Sequence, residues 1–188
     1  MIRRTLAPVL ALALLATQAL AAPAPYRLDT ARSVVGFTYT LGGTAGRGTM
    51  PVASADMVLD LADPGQSRVT VTLDAQGARA GFFLATQAMR GPRGLDTARH
   101  PVITFRSTAI TGTLRAARVE GLLTVRGTTR EVTLQATHYR PRDTDPSDLT
   151  RLTVLLTGQI DRHDFGVTGF PDLVGPTISL RIVARIER

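Results

Sequence analysis

The chain is predicted to fold as an all-β protein, an eight-stranded antiparallel barrel with one short helix. The main observation is an alternation of apolar and polar residues, which is clearest at 177–186, where every second residue from Ile178 to Ile186 is apolar. The same period recurs at 68–74 and at 131–137. Because the side chains of a strand point alternately to its two faces, each segment has one apolar and one polar face. Such strands build an antiparallel sheet around an apolar interior.

Eight strand segments follow from this alternation, each bounded by Gly, Pro, Asp or Ser. They are Val34–Leu41, Gly46–Pro51 continuing through a bend into Ala55–Leu61, Arg68–Ala75, Val102–Ile110, Arg118–Val125, Glu131–Tyr139, Arg151–Asp161 and Thr177–Ile186. The segment Gly81–Gly91 instead has apolar residues at helical spacing, which predicts a short helix covering one end of the barrel. A barrel of this size either fills its interior with side chains or keeps room for one ligand.

The N-terminal segment has the pattern of a secretory signal peptide. Arg3 and Arg4 precede the Ala- and Leu-rich run Leu6–Leu20, which ends in a small-residue cleavage pattern. Residues 1–21 are therefore predicted to be removed, and residues 22–188 to form a single barrel domain. The run is shorter than a membrane-spanning helix needs, which disfavours an uncleaved anchor. We expect the protein to be exported.

The charge of the chain is positive and evenly spread. All 22 basic residues are arginines, and the net charge of +7 falls to +5 when the two arginines of the signal peptide are removed. The arginines occur one or two per strand, without a basic cluster or interleaved exposed aromatic residues, so nucleic-acid binding is not expected. The pattern instead predicts a surface of low positive charge density, with weak attraction to anionic lipid head groups. The chain has no cysteine, so disulfides do not stabilise the fold.

Sequence patterns of catalysis and metal binding are missing. There is no cysteine nucleophile, no Gly-x-Ser-x-Gly, no His-Glu-x-x-His and no phosphate-binding loop. The three histidines, His100, His138 and His163, lie far apart and lack metal-ligand spacing. Asp161 and Asp164 near a strand end are more typical of a turn cap or of pairing with a neighbouring arginine than of an acid and base pair. A protein without catalytic residues, metal or cofactor is predicted.

Four motifs occur in order along nearly all of the predicted domain. They are Tyr26–Asp29 followed by Ser33–Phe37, His100–Ser107, Val119–Thr128 and Asp161–Val167. Together they resemble the YceI family of polyisoprenoid-binding proteins. The resemblance implies a lipocalin-like barrel, exported to the periplasm, with an apolar tunnel that holds an isoprenoid or similar chain. Its motif positions correspond here to Pro101, Ile103, Phe105, Arg162, Asp164, Phe165 and Gly166.

The resemblance and the inward phase of the strands together give a set of candidate ligand-binding residues. The ligand expected is a polyisoprenoid, a quinone tail or a similar lipid. The candidates are Val35, Phe37, Tyr39, Met57, Leu59, Val69, Val71, Phe82, Phe83, Met89, Ile103, Phe105, Leu123, Leu134, Val154, Leu156, Ile160, Phe165, Ile178 and Leu180. Each of these residues also fits a purely structural role, because the apolar face of any barrel has this composition.

Two other functions stay open at this point. A barrel filled by its own side chains would serve as a stress-related or interaction module without a ligand. An enzyme acting on an apolar substrate would need a polar cluster inside, and only Tyr39 and His138 fall on the inward phase. Contact with the membrane surface and a homodimer are further alternatives that the sequence does not decide.

Overall fold

The computed structural model describes residues 23–139 and 148–188. The strands are β1 (Ala24–Leu28), β2 (Val34–Leu41), β3 (Thr44–Met50), β4 (Val52–Leu59), β5 (Arg68–Asp74), β6 (Val102–Gly112), β7 (Ala116–Val125), β8 (Thr128–Tyr139), β9 (Arg151–Asp161) and β10 (Thr177–Glu187), and the helix is α1 (Phe83–Arg90). The predicted signal peptide lies outside the described residues. Within the described ranges, no helix has the length and apolar composition needed to span a membrane.

The ten strands form one antiparallel sheet that closes on itself. Along one edge of β10, β2 pairs with residues 179–183 and β1 pairs with residues 186–187, so β1 and β2 lie end to end. In the same way β3 pairs with β2 while β4 pairs with β1. Two bent strands and six continuous strands thus close the barrel, and the predicted eight-stranded all-β fold is confirmed.

The two bends have local causes. Between β1 and β2 the chain turns at Asp29, whose carbonyl oxygen accepts a hydrogen bond from the backbone N–H of Ser33 at 2.9 Å. Between β3 and β4 stands Pro51, which has no N–H to donate to a neighbouring strand. A bulge follows between Val52 and Ser54, where the register with β5 shifts. The bend predicted after Gly46–Pro51 is therefore present.

The predicted strand list was wrong in omitting β1. This strand contains Pro25, which removes one backbone donor and weakens the strand signal of the alternating apolar residues Ala24, Tyr26 and Leu28. Pro25 is tolerated because it lies opposite Val58 of β4, before the pairing with β10 begins. The helix predicted within Gly81–Gly91 is present as α1.

The buried side chains form three clusters, two towards the ends of the barrel and a third around Ile110, Val119 and Leu134. One cluster includes Phe165 and lies at the end that carries α1 and the segment 166–176, called here the α1 end. A second cluster includes Tyr26 and lies at the opposite end. Between them, the inward-facing side chains of Leu156 and Leu180 are only half-buried. They remain accessible because they face a cavity.

Candidate functional site

An apolar cavity of about 600 Å³ occupies the barrel interior. This volume lies within the range of sites that hold drug-sized small molecules. Every one of the ten strands contributes inward-facing residues, and α1 and the segment 166–176 complete the wall at the α1 end. On β10 the lining residues are Ile178, Leu180, Ile182, Ala184 and Ile186, which is the alternation expected of a strand with one face inward.

Nineteen of the twenty candidate residues from the sequence line this cavity. The exception is Phe83, whose side chain is 73% exposed. Phe82, Phe83 and Leu84 follow one another at the start of α1, and consecutive residues of a helix point in different directions, so they cannot all face the barrel. That the nineteen residues contact a ligand stays a prediction.

Other lining residues were not among the sequence candidates. Those on strands share the inward phase of their neighbours and could have been found from it; they include Leu73, Val119, Val125, Val132, Leu152, Ile182, Ala184 and Ile186. Those in connecting segments have no periodicity that marks them; they include Leu61, Leu95, Val167, Phe170 and Leu173. The strand pattern therefore predicts the walls of the cavity but not its ends.

Three aromatic rings of the cavity wall lie against glycines on neighbouring strands: Tyr39 against Gly46, Phe37 against Gly48 and Phe105 against Gly121. A Cβ atom on Gly46 would lie 2.5 Å from the ring of Tyr39, and one on Gly121 would lie 2.5 Å from the ring of Phe105. Each ring thus occupies the inward space that a side chain of the next strand would otherwise take. The rings stay close to the wall, and the interior between them remains open.

The polar groups that reach the cavity lie at its two ends. Arg93 and Arg162 lie at the α1 end, whereas Ser33, Asp60, Ser67, Thr113 and His138 lie towards the opposite end. The buried carboxylate of Asp60 accepts hydrogen bonds from the backbone N–H groups of Ala62 and Asp63 at 2.9 and 2.8 Å. Among the described residues, no group of three or more His, Cys, Asp or Glu side chains could hold a metal ion.

Arg162 organises the α1 end. Its buried guanidinium donates four hydrogen bonds to backbone carbonyl oxygens of the segment 166–176. Nε donates to Gly175 at 3.0 Å, Nη1 to Val167 at 2.6 Å and to Gly169 at 2.8 Å, and Nη2 to Val174 at 2.7 Å. This fork uses the planar geometry of the guanidinium to fix a segment without regular secondary structure. Arg162 is therefore the side chain that makes the largest number of hydrogen bonds to this part of the cavity wall.

The charge of Arg162 is balanced by backbone dipoles and by one nearby carboxylate. Burial lowers the pKa of Arg162, and the negative charge of Asp161 partly opposes this effect. The carboxylate of Asp161 itself accepts a hydrogen bond from the backbone N–H of His163 at 2.8 Å, which caps the short turn Arg162–Phe165. The turn cap that the sequence indicated for this position is therefore present.

Tyr39 anchors the segment that leads into α1. Its ring is buried in the cavity wall, and its hydroxyl donates a hydrogen bond to the carbonyl oxygen of Ala80 at 2.8 Å. Burial raises the pKa of the Tyr39 hydroxyl above the ordinary value for tyrosine. Burial also raises the pKa of Tyr26 at the opposite end, where the charge of Arg188 acts in the opposite sense.

These two tyrosines predict a loss of stability at alkaline pH. Their pKa values are raised in the folded state, so above about pH 10 the unfolded chain loses these protons first and the free energy of unfolding falls as pH rises. Below that range the stabilisation is fully present. Urea unfolding at a series of pH values checks the slope, and Tyr39→Phe should reduce it because one of the two groups is removed. An unchanged slope in Tyr39→Phe would contradict the assignment.

The fold and the cavity place this protein among the closed antiparallel barrels that enclose one interior space, the architecture of the lipocalins. The chain belongs to the YceI family: the YceI-like domain matches residues 26–186. A UPF0312 protein of Pseudomonas putida strain GB-1 is 29% identical over 143 residues, which are 76% of this chain and 73% of that protein. The family resemblance predicted from the four motifs is confirmed.

Solved structures share the fold at lower sequence identity. BcnA of Burkholderia cenocepacia superposes with a TM-score of 0.73 at 21% identity, over 86% of this chain and 99% of that one. A polyisoprenoid binding domain from Saccharophagus degradans gives a TM-score of 0.65 at 16% identity, over 86% and 97% of the two chains. The YCEI protein of Campylobacter jejuni gives 0.62 at 19% identity, over 72% and 80%. These similarities establish the barrel architecture.

Proposed function

We propose that the protein binds the apolar chain of a polyisoprenoid, a quinone tail or a similar lipid inside the barrel, and sequesters or carries it. The observation that supports this proposal is the cavity of about 600 Å³ whose walls are apolar along all ten strands. A prenyl chain in water exposes a large apolar surface, and burying it gains about 0.8 kcal/mol for each methylene. The relative described as a polyisoprenoid binding domain supports the same class of ligand.

Selectivity for chain length is expected to be loose. The middle of the cavity is lined by aliphatic and aromatic side chains, and one methylene more or less changes the free energy of binding by only about 1 kcal/mol. The polar groups at the ends are the parts of the site that can distinguish one head group from another. The ligand class is therefore defined by its apolar chain.

The same arrangement favours binding over catalysis. An enzyme needs a nucleophile, base or acid within hydrogen-bond reach of the reacting atom and of one another. The polar groups that reach this cavity are divided between its two ends, with Arg162 at one and Asp60 and His138 at the other. Arg162 already donates hydrogen bonds to backbone carbonyl oxygens, and Asp60 already accepts hydrogen bonds from backbone N–H groups.

The proposal includes export to the periplasm. It rests on the order of basic residues, apolar run and cleavage pattern in residues 1–21. A carrier of apolar chains has a use in an aqueous compartment next to membranes, where a free prenyl chain is insoluble.

Extraction of the purified protein with organic solvent, followed by mass spectrometry, tests the proposed ligand class. We expect a lipid with a long apolar chain in an amount comparable to that of the protein. Leu156→Arg protein purified in the same way is the control, because its cavity carries a charge. Equal lipid in both extracts, together with no binding of a fluorescent prenyl analogue, would contradict the proposal and favour an interaction module without a ligand.

A further inference from the structure

The α1 end carries a group of exposed apolar side chains. Phe82 is 52% exposed, Phe83 73%, Leu84 71% and Leu173 50%. The first three are consecutive at the start of α1, and we call these four residues the apolar tip. Large contiguous apolar residues exposed on a protein surface commonly mark a contact with another protein or with a membrane.

The apolar tip is continuous with the cavity. Phe82, Leu84 and Leu173 line the cavity as well as being exposed, whereas Phe83 contributes only to the outer surface. Leu173 is held at this end because the backbone N–H of Gly42 donates to its carbonyl oxygen at 2.8 Å. A ligand that leaves the cavity between these side chains would therefore pass over an apolar surface.

The charges around the tip have a net positive sum. The three described segments that carry or adjoin it are 37–50, 76–95 and 166–176. Their charged residues are Arg47, Arg79, Arg90, Arg93 and Asp172, and the adjoining turn at 161–165 adds Asp161, Arg162 and Asp164, which makes five arginines and three aspartates. Arg47 and Arg79 are exposed and flank the turn at Gly81, where the chain enters α1. Exposed aromatic and aliphatic residues with arginines beside them fit the boundary between the head groups and acyl chains of an anionic membrane.

We propose that the apolar tip docks the α1 end of the barrel on an anionic phospholipid bilayer, so that the cavity exchanges its chain with the membrane directly. The exchange of a chain with the membrane rests on the proposed function, whereas docking on the membrane is measured without the prenyl ligand. Phe82, Phe83, Leu84 and Leu173 would enter the interface, and Arg47 and Arg79 would lie at the level of the phosphates.

Flotation with vesicles tests the docking. The purified protein should float with vesicles of phosphatidylglycerol and phosphatidylethanolamine, less with phosphatidylcholine alone, and less again as salt is added. Phe83→Ser should lower the partition coefficient about tenfold, because one large apolar side chain is lost from the interface. Arg79→Gln should weaken binding to the anionic vesicles only. Val34→Ser is the matched control, since Val34 is 48% exposed at the first residue of β2, away from the α1 end.

A second measurement separates this inference from the proposed function. Phe83 does not line the cavity, so Phe83→Ser should bind a fluorescent prenyl analogue in solution as the parent does while losing vesicle binding. Failure of the analogue to bind the parent would overturn the ligand assignment and leave the docking result standing. Docking is overturned if the parent does not float, or if Phe83→Ser floats equally well. A concentration-dependent dimer that Phe83→Ser abolishes, without vesicle binding, would assign the tip to a second copy of the chain instead.

Discussion

Leu156→Arg should lower the affinity for a prenyl analogue by at least about a hundredfold in a barrel that still folds. Leu156 lies on β9, paired with Ile182 of β10 and Ala136 of β8, and its side chain faces the cavity. A guanidinium at this position finds aliphatic neighbours, so binding would force an unpaired charge against the lipid chain. Fluorescence titration measures the affinity, and circular dichroism reports whether the strands are intact.

Thr157→Arg is the matched control. Thr157 is the next residue of the same strand and is exposed on the outer face, so the same new charge remains in water. It should bind the analogue as the parent does. Phe105→Arg tests another part of the wall and should behave like Leu156→Arg. Folded variants at both positions that bind normally would show that the chain is not held inside the barrel.

Arg162→Met should destabilise the protein by about 3–5 kcal/mol, because four backbone carbonyl oxygens lose their donor in a buried place. Methionine keeps much of the apolar volume of the side chain and removes the guanidinium. The segment 166–176 should lose its fixed conformation, which opens the α1 end of the cavity. Urea unfolding measures the free energy, and hydrogen exchange of this segment should increase locally.

Arg162→Lys distinguishes the charge from the geometry. The ammonium keeps the positive charge but cannot present a planar fork to four carbonyl groups, so most of the loss should remain. Arg106→Met is the control on the exposed outer face of β6, and it should change stability by no more than about 0.5 kcal/mol. A lysine variant as stable as the parent would show that the charge alone holds the segment.

The sequence predicted those parts of the fold that depend on strand period. Leu156 and Leu180 follow the alternation of their strands, so their inward position could be stated before the structure was known. The period is a weak guide where a strand is short and contains proline, as in β1 with Pro25. Pairing with β4 and β10 decides that segment, and such long-range contacts leave no local pattern.

The ends of the cavity were less predictable than its walls. The four hydrogen bonds of Arg162 connect a short turn to backbone carbonyl groups of the segment 166–176. Every residue has a backbone carbonyl group, so the sequence does not show which ones accept these bonds. The sequence marked Arg162 through the family resemblance and as an arginine that Asp161 or Asp164 could pair with, but not as a donor to these carbonyl groups. Phe83 shows the same limit on α1, since the apolar run Phe82–Leu84 does not specify which ring turns away from the barrel.

The glycines against the rings of Tyr39 and Phe105 influence the width of the interior although they do not line it. Neither Gly46 nor Gly121 borders the cavity, yet a single methyl group at either position would push the facing ring towards the axis. Gly46→Ala or Gly121→Ala would therefore narrow the interior while every lining residue stays identical. The width of the interior is thus set in part by residues that have no side chain of their own.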